Sequence, residues 1–209
     1  MSKKVRLCAA LGAFVLAGQA LTASIASAQP AQDAGKEIRH CAIGLQPRAA
    51  DYRPGQAENE NPQVDCFATI AEAVEFASAG RIPRARLAGV KGPEELLRIV
   101  GESDAVTNSA RIAANPLLGI HYDYTDYGGG SHTYYGENGT GCSTGITYGV
   151  GYVGDSWNDD FASGRSYSNC QHTMYEHLNY GGANNTWWNT SNYGALAEEI
   201  TSIVYHSSH

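Results

Sequence analysis

Positive charge is almost missing from the second half of this chain. From Pro116 onward the only Lys or Arg is Arg165, set against nine acids: Asp123, Asp126, Glu137, Asp155, Asp159, Asp160, Glu176, Glu198 and Glu199. A surface of that sign repels nucleic-acid phosphates and anionic lipid, so neither is expected as a partner. It attracts cations, Ca²⁺ among them, although acids also serve simply to keep an exported protein soluble. Long apolar runs are missing too. After the first 28 residues no stretch is apolar enough to span a bilayer, and no membrane association is expected. Zinc signatures are absent: there is no Cys-x-x-Cys pair, no His-x₃-His and no His-Glu-x-x-His. His172 and His177, five apart on one strand, fall on opposite faces. No Gly-x-Ser-x-Gly elbow is read either. The histidines His121, His132, His172, His177, His206 and His209 therefore read as lone surface groups, and no enzyme is expected.

What is present begins with an export signal. Lys3, Lys4 and Arg6 precede an apolar run from Leu7 to Ala20, and Ala26-Ser27-Ala28 makes a small-x-small cleavage site before Gln29-Pro30. Residues 1–28 thus read as a secretory signal peptide and the mature protein as secreted and extracellular. Cleavage removes those three cations and no acid, so Lys+Arg falls from 14 to 11 against 21 acids and the net charge moves from -7 to -10. Four cysteines remain: Cys41, Cys66, Cys142 and Cys170. An even number in an exported chain suggests two disulfides with three possible pairings. The cysteines fall into two groups either side of a long linker, which favours Cys41–Cys66 and Cys142–Cys170. A four-cysteine zinc site is the alternative.

Residues 29–81 read as a small disulfide-stapled segment. Ile38–Leu45 is a strand candidate. Gln46–Gln63 is a loop rich in Pro, Asn, Asp and Glu. A helix follows, with Thr69 and Glu72 as a capping box, Phe67, Ile70, Val74 and Ala77 at helical spacing, and Gly80 as its stop. Residues 82–115 read as a linker with a short helix that starts at Pro93. From residue 116 to 207 the composition turns to Gly and Tyr, and short β-prone runs alternate with turn residues, as in an antiparallel sandwich.

That region is written twice. Tyr122-Asp123-Tyr124-Thr125-Asp126-Tyr127-Gly128-Gly129 is echoed by Tyr175-Glu176-His177-Leu178-Asn179-Tyr180-Gly181-Gly182, with a constant offset of 53 residues that continues through Thr133-Tyr134-Tyr135 and Thr186-Trp187-Trp188. Two motifs, about 118–170 and 171–207, follow. Strands are expected at Leu118–Tyr124, Ser131–Tyr135, Gly145–Tyr152 and Ser163–Tyr167, then at His172–His177, Asn184–Trp188 and Ile200–His206. In each copy the glycine two residues after the second tyrosine supplies a positive φ. That folds the hairpin back, so Tyr122 packs on Tyr127 and Tyr175 on Tyr180. Tyr122, Tyr127, Gly129, Tyr175, Tyr180 and Gly182 are therefore scaffold. Alternation turns one ring of Tyr134-Tyr135 and one of Trp187-Trp188 outward, which keeps a carbohydrate-binding module among the possible functions.

This pattern resembles the βγ-crystallin Greek key, whose motifs open with an aromatic-x₄-aromatic-x-Gly hairpin and close with Asn/Asp-Asn/Asp-x-x-Ser/Thr-Ser. Trp157-Asn158-Asp159-Asp160-Phe161-Ala162-Ser163 and Leu196-Ala197-Glu198-Glu199-Ile200-Thr201-Ser202 stand where the closing segments belong. Cys66-Phe67 is similar to the extension of secreted bacterial members. The resemblance covers about Leu117 to His206. It implies an all-β, eight-stranded sandwich of two Greek keys behind a small α/β extension. It further implies a pair of Ca²⁺ sites built by the closing segments, with Asp159, Asp160, Ser163, Glu198, Glu199 and Thr201 as the candidate ligands. With Trp157 matched to Leu196, Thr201 stands at the hydroxyl position of one copy and Ala162 at that of the other. A shift by one puts Ser163 there instead. A monomeric, non-enzymatic, Ca²⁺-binding extracellular protein is the first functional expectation. An inhibitor of a secreted metalloproteinase, presenting the insertion around Cys142, is the second. A killer-toxin-like protein is a third.

Overall fold

The computed structural model describes residues 38–48, 62–90, 92–110, 115–137, 139–142 and 145–207. The segment read as a signal peptide and the following polar stretch to residue 37 lie outside them, as does most of the loop after Leu45. In chain order the elements are strand β1 (His40–Leu45), β2 (Val64–Phe67), helices α1 (Ile70–Ala77), α2 (Arg84–Leu87) and α3 (Pro93–Ala110), then β3 (Leu117–Tyr124), β4 (Gly128–Gly136), β5 (Tyr148–Val150), β6 (Ser163–Ser166), β7 (Gln171–His177), β8 (Gly181–Trp187), β9 (Asn189–Thr190) and β10 (Ser202–His206).

The strands form two sheets, ordered β2-β1-β4-β3-β6-β9 and β5-β10-β7-β8. Without β1 and β2, each sheet has four strands, and the eight-stranded expectation is met. The first half of the repeat puts β3, β4 and β6 into one sheet and sends β5 to the other. The second half does the reverse, keeping β7, β8 and β10 together and sending β9 across. Neither half completes a sheet without the other.

The doubled hairpin explains why the chain folds this way. Tyr122 and Tyr127 meet edge to face at 5.7 Å between ring centres, and Tyr175 and Tyr180 at 5.6 Å. Three residues per hairpin take left-handed backbone: Asp126, Tyr127 and Gly129 in one copy, Asn179, Tyr180 and Gly182 in the other. Only the glycines reach that region without strain. The hairpin is then pinned from a distance. The Ser163 hydroxyl accepts from the Tyr127 amide at 3.0 Å and donates to the Tyr124 carbonyl at 2.6 Å. Ser202 does the same with the Tyr180 amide at 3.0 Å and the His177 carbonyl at 2.7 Å.

The whole is a mixed fold rather than a purely all-β one, because the extension is built into the sandwich. β1 pairs in parallel with β4 and antiparallel with β2, where Cys41 lies directly opposite Cys66. Both expected disulfides are present. The Thr69/Glu72 capping box starts α1 as read. Phe67, counted with that helix in the sequence, instead ends β2, a strand of four residues too short to show a period. The segment 82–115 carries α2 and an α3 that runs 18 residues from Pro93.

Two apolar cores result. One lies between the sheets and includes Ile43, Leu118, Tyr134, Phe161, Met174, Ile200, Ile203 and Tyr205. The other lies outside the six-stranded sheet, where Val74, Ala77, Ile82, Leu87, Leu96, Ile99 and Val100 cover Leu117, Ile120, Tyr122 and Tyr167. Arg165 of β6 adds an ion pair to Glu94 of α3.

Candidate functional site

The two closing segments lie against each other. The Asp159 amide donates to the Ile200 carbonyl and the Glu198 amide to the Phe161 carbonyl. Asp159 and Glu198 both have left-handed backbone, with φ of 63° and 62°. The Ala162 amide donates to the Tyr122 carbonyl where the Thr201 amide donates to that of Tyr175. Ser163 and Ser202, as described, do equivalent work. The register that matches Trp157 with Leu196 is therefore the one adopted, and Ala162 and Thr201 occupy equivalent positions.

The consequence is a chemical difference between the halves. The Thr201 hydroxyl donates to the Glu176 carbonyl at 2.7 Å and keeps its lone pairs for another partner. Ala162 has nothing to offer. The Glu176 side chain in turn lines an open cup of about 470 Å³ with Asn184, Asn185, Glu199, Leu196 and Tyr193. The Glu176 carboxylate accepts from the Ala183 amide at 3.0 Å, as Asp123 accepts from Gly130 at 3.1 Å in the first copy.

Of the six candidate ligands, Glu199 and Thr201 are thus brought to Glu176. Glu198 is exposed in its turn, and Asp159 and Asp160 stand in the partner closing segment. The donor of Ser163 and one of its acceptor positions are taken by the hairpin. Among the described residues no group of three or more His, Cys, Asp or Glu is arranged to hold a metal ion. Any cation here would lean on hydroxyl, amide and carbonyl oxygens. Glu176, Asn184 and Asn185 were not singled out in the sequence. The signal for Glu176 was available: it repeats Asp123, the acid after the first tyrosine of each hairpin.

The histidine expectation needs correction. His121, His132 and His172 are not surface groups; all three are fully buried. The reason is that their side chains face the space between the two sheets: His121 meets Tyr134, Phe161, Tyr193 and Tyr205, and His132 meets Trp157 and Phe161, while Ile120 and Tyr122 on the other face of β3 lie under the helices. His121 bonds through Nδ1 to the Tyr193 hydroxyl at 2.6 Å and through Nε2 to that of Tyr205 at 2.5 Å. Tyr193 continues to His172 Nε2 at 3.1 Å, and His172 Nδ1 to Ser166 at 2.7 Å. This chain ties one sheet to the other. Burial holds His121 well below the ordinary imidazole range, helped by His172 and His132, and lowers His172 to about 3, helped by His206. Burial also raises Tyr193 and Tyr205.

The Gly-x-Ser-x-Gly spacing does occur, at Gly141-Cys142-Ser143-Thr144-Gly145, contrary to the sequence reading. Its neighbours in the chain are strands β4 and β5, not a strand and a helix, and Cys142 is disulfide-bonded. That context is not the one in which the spacing presents a nucleophile. Ser143 itself lies outside the described residues.

No family model matches the chain, and no curated protein matches it. Solved βγ-crystallin domains do match in structure. One from Clostridium beijerinckii is 22% identical, covers 44% of this chain and 99% of its own, and has a TM-score of 0.33. A βγ-crystallin from an archaeon is 24% identical over 42% of this chain and 94% of its own, with a TM-score of 0.31. The βγ-crystallin domain of Abundant Perithecial Protein from Neurospora crassa, solved in a Ca²⁺-bound form, is 18% identical over 46% of this chain and 93% of its own, with a TM-score of 0.34.

Proposed function

We propose that this is a secreted, non-enzymatic Greek-key protein that binds one Ca²⁺ weakly, beside the closing segment of its second half. The observation that carries the reading is the inequivalence of Thr201 and Ala162 at otherwise matched positions. Ca²⁺ takes six to eight oxygens. Those on offer are the Thr201 hydroxyl and the Glu176 carbonyl it bonds to, and, in the cup that the Glu176 side chain lines, the carboxylates of Glu176 and Glu199, the amide oxygens of Asn184 and Asn185, and water. Two carboxylates with neutral oxygens suit the weak range of extracellular modules, roughly 10⁻⁴ to 10⁻³ M. The first half lacks the hydroxyl, so a stoichiometry of one is expected rather than two. Two disulfides agree with an oxidising compartment.

Calorimetry on the protein without its leader tests this. Saturable heat at millimolar Ca²⁺, a raised melting temperature, and loss of both in Thr201→Ala and Glu176→Gln are the expected results. Ser163→Ala is expected to leave the Ca²⁺ response in place. A flat titration at millimolar Ca²⁺ removes the reading.

A further inference from the structure

We propose that the groove between α3 and the β6–β9 edge binds a neutral glycan, with the Trp188 indole as its stacking platform. This rests on a different face from the Ca²⁺ reading and does not depend on it. The groove encloses about 490 Å³, inside the range of about 300–1,000 Å³ usual for small-molecule clefts.

The repeat supplies an internal control. Trp188 answers Tyr135 at the same offset as the rest of the motif. Tyr135 is half-buried, with the Phe76 ring of α1 edge-on to it at 6.3 Å. Trp188 stays 45% exposed in the groove wall. A large, rigid, amphipathic ring left open in a concavity is what recognition sites use as an anchor.

The opposite wall has been kept low. Gly101 lies inside α3 and faces the groove, and a Cβ built on it would meet nothing within 4 Å. Glycine destabilises a helix interior relative to alanine, and here no close packing requires it. What its missing side chain provides is room beside Leu97 and Val100. The far rim is tied down. Ser168 and Asn169 both have left-handed backbone, at φ of 49° and 58°. The Cys142 amide donates to the Ser168 carbonyl at 3.2 Å, and Cys142 is bonded to Cys170, next to Asn169. The backbone that carries the exposed Asn169 is thus tied down before any ligand arrives, which lowers the cost of binding.

Charge selects the class of ligand. The cation in the groove, Arg165, is only 7% exposed and is ion-paired to Glu94. The remaining polar groups are amides and hydroxyls, and the surrounding half of the chain is acidic. An anionic polymer is repelled. A pyranose offers an apolar C–H face for the indole and hydroxyls for Asn169 and Ser168.

The test uses the full secreted chain, with Ca²⁺ and separately with chelator. Insoluble cellulose and chitin are used in pull-downs. Their soluble oligosaccharides of four to six sugars are titrated by tryptophan fluorescence. Alginate and a mixed casein peptide digest serve as the anionic and peptide arms. Saturable binding to at least one neutral glycan is expected, weakened at least about tenfold in Trp188→Ala and held within about threefold in Trp188→Tyr. Gly101→Phe, which fills open space and improves helix propensity, is expected to abolish binding without lowering the melting temperature. The proposal is overturned by no binding to any neutral glycan, by binding unchanged in Trp188→Ala and Gly101→Phe, or by preference for the alginate or peptide arm.

Discussion

His121 and His172 hold their places in the core only as neutral rings. Each accepts at one nitrogen and donates at the other, and a protonated imidazole has two donors and no acceptor. Both have folded pKa values below the ordinary 6.5, His172 at about 3. The unfolded chain therefore takes up these protons first. Stability from the pair is fully present above about pH 6.5 and is lost as the pH falls toward the folded values. Each group contributes about 1.4 kcal/mol per pH unit in that window, so the two together reach about 2.7 kcal/mol per unit. Glu94, held below its ordinary 4.5 by Arg165, adds a loss of the same sign only at lower pH. Urea unfolding followed between about pH 6 and 4.5 is expected to show this slope, and His172→Gln to show about half of it. An unchanged slope in that variant would mean the imidazole is not the titrating group. None of this was legible from strand alternation. A histidine between Ile120 and Tyr122 reads as pointing outward because alternation gives the inner face to its apolar neighbours; the helices instead bury Ile120 and Tyr122 on the outer face, and His121 is left facing the other sheet.

At the scale of the element, the hairpin was the most legible part of the chain, because Tyr-x₄-Tyr-x-Gly states its own geometry: two rings that meet and a glycine that turns. The closing serine was legible as a motif position, but its bonds were not, since the partners of Ser163 are 36 and 39 residues away. The strands β2 and β9, of four and two residues, could not be read at all; they exist because neighbouring strands offer partners, not because their own sequences alternate. The matched bonding gives a matched prediction. Ser163→Ala and Ser202→Ala each leave a hairpin amide and carbonyl unsatisfied, at a cost of roughly 1–3 kcal/mol. The two costs, measured by urea unfolding, are expected to agree within about 0.5 kcal/mol. Gly129→Ala adds a Cβ 2.9 Å from the Tyr124 ring at a φ of 79°, and is expected to cost at least about 1 kcal/mol from the backbone alone. A large effect at Ser202 with none at Ser163 would break the equivalence of the two halves.

For the molecule as a whole, the decisive feature is that residues before Pro116 supply most of the second core. Leu96, Ile99 and Val100 of α3 pack in one cluster with Leu117, Ile120, Tyr122 and Tyr167 of the sandwich. Composition suggested a spacer here because the helix is short of apolar residues outside that one face and follows an Arg-rich stretch. Chain order cannot show which sheet such a face will meet. If extension and sandwich share a core, they unfold together. The tryptophans make this measurable, because all three, Trp157, Trp187 and Trp188, lie after Pro116. Leu96→Ala and Ile99→Ala change side chains far from them in sequence, and each deletes buried methyl groups worth about 2–5 kcal/mol. Both are expected to shift the tryptophan-monitored urea midpoint by that amount, in one transition that coincides with the loss of helical circular dichroism. A separable extension would give the opposite pattern: an early loss of helix, and a tryptophan transition left where it stands in the unaltered protein.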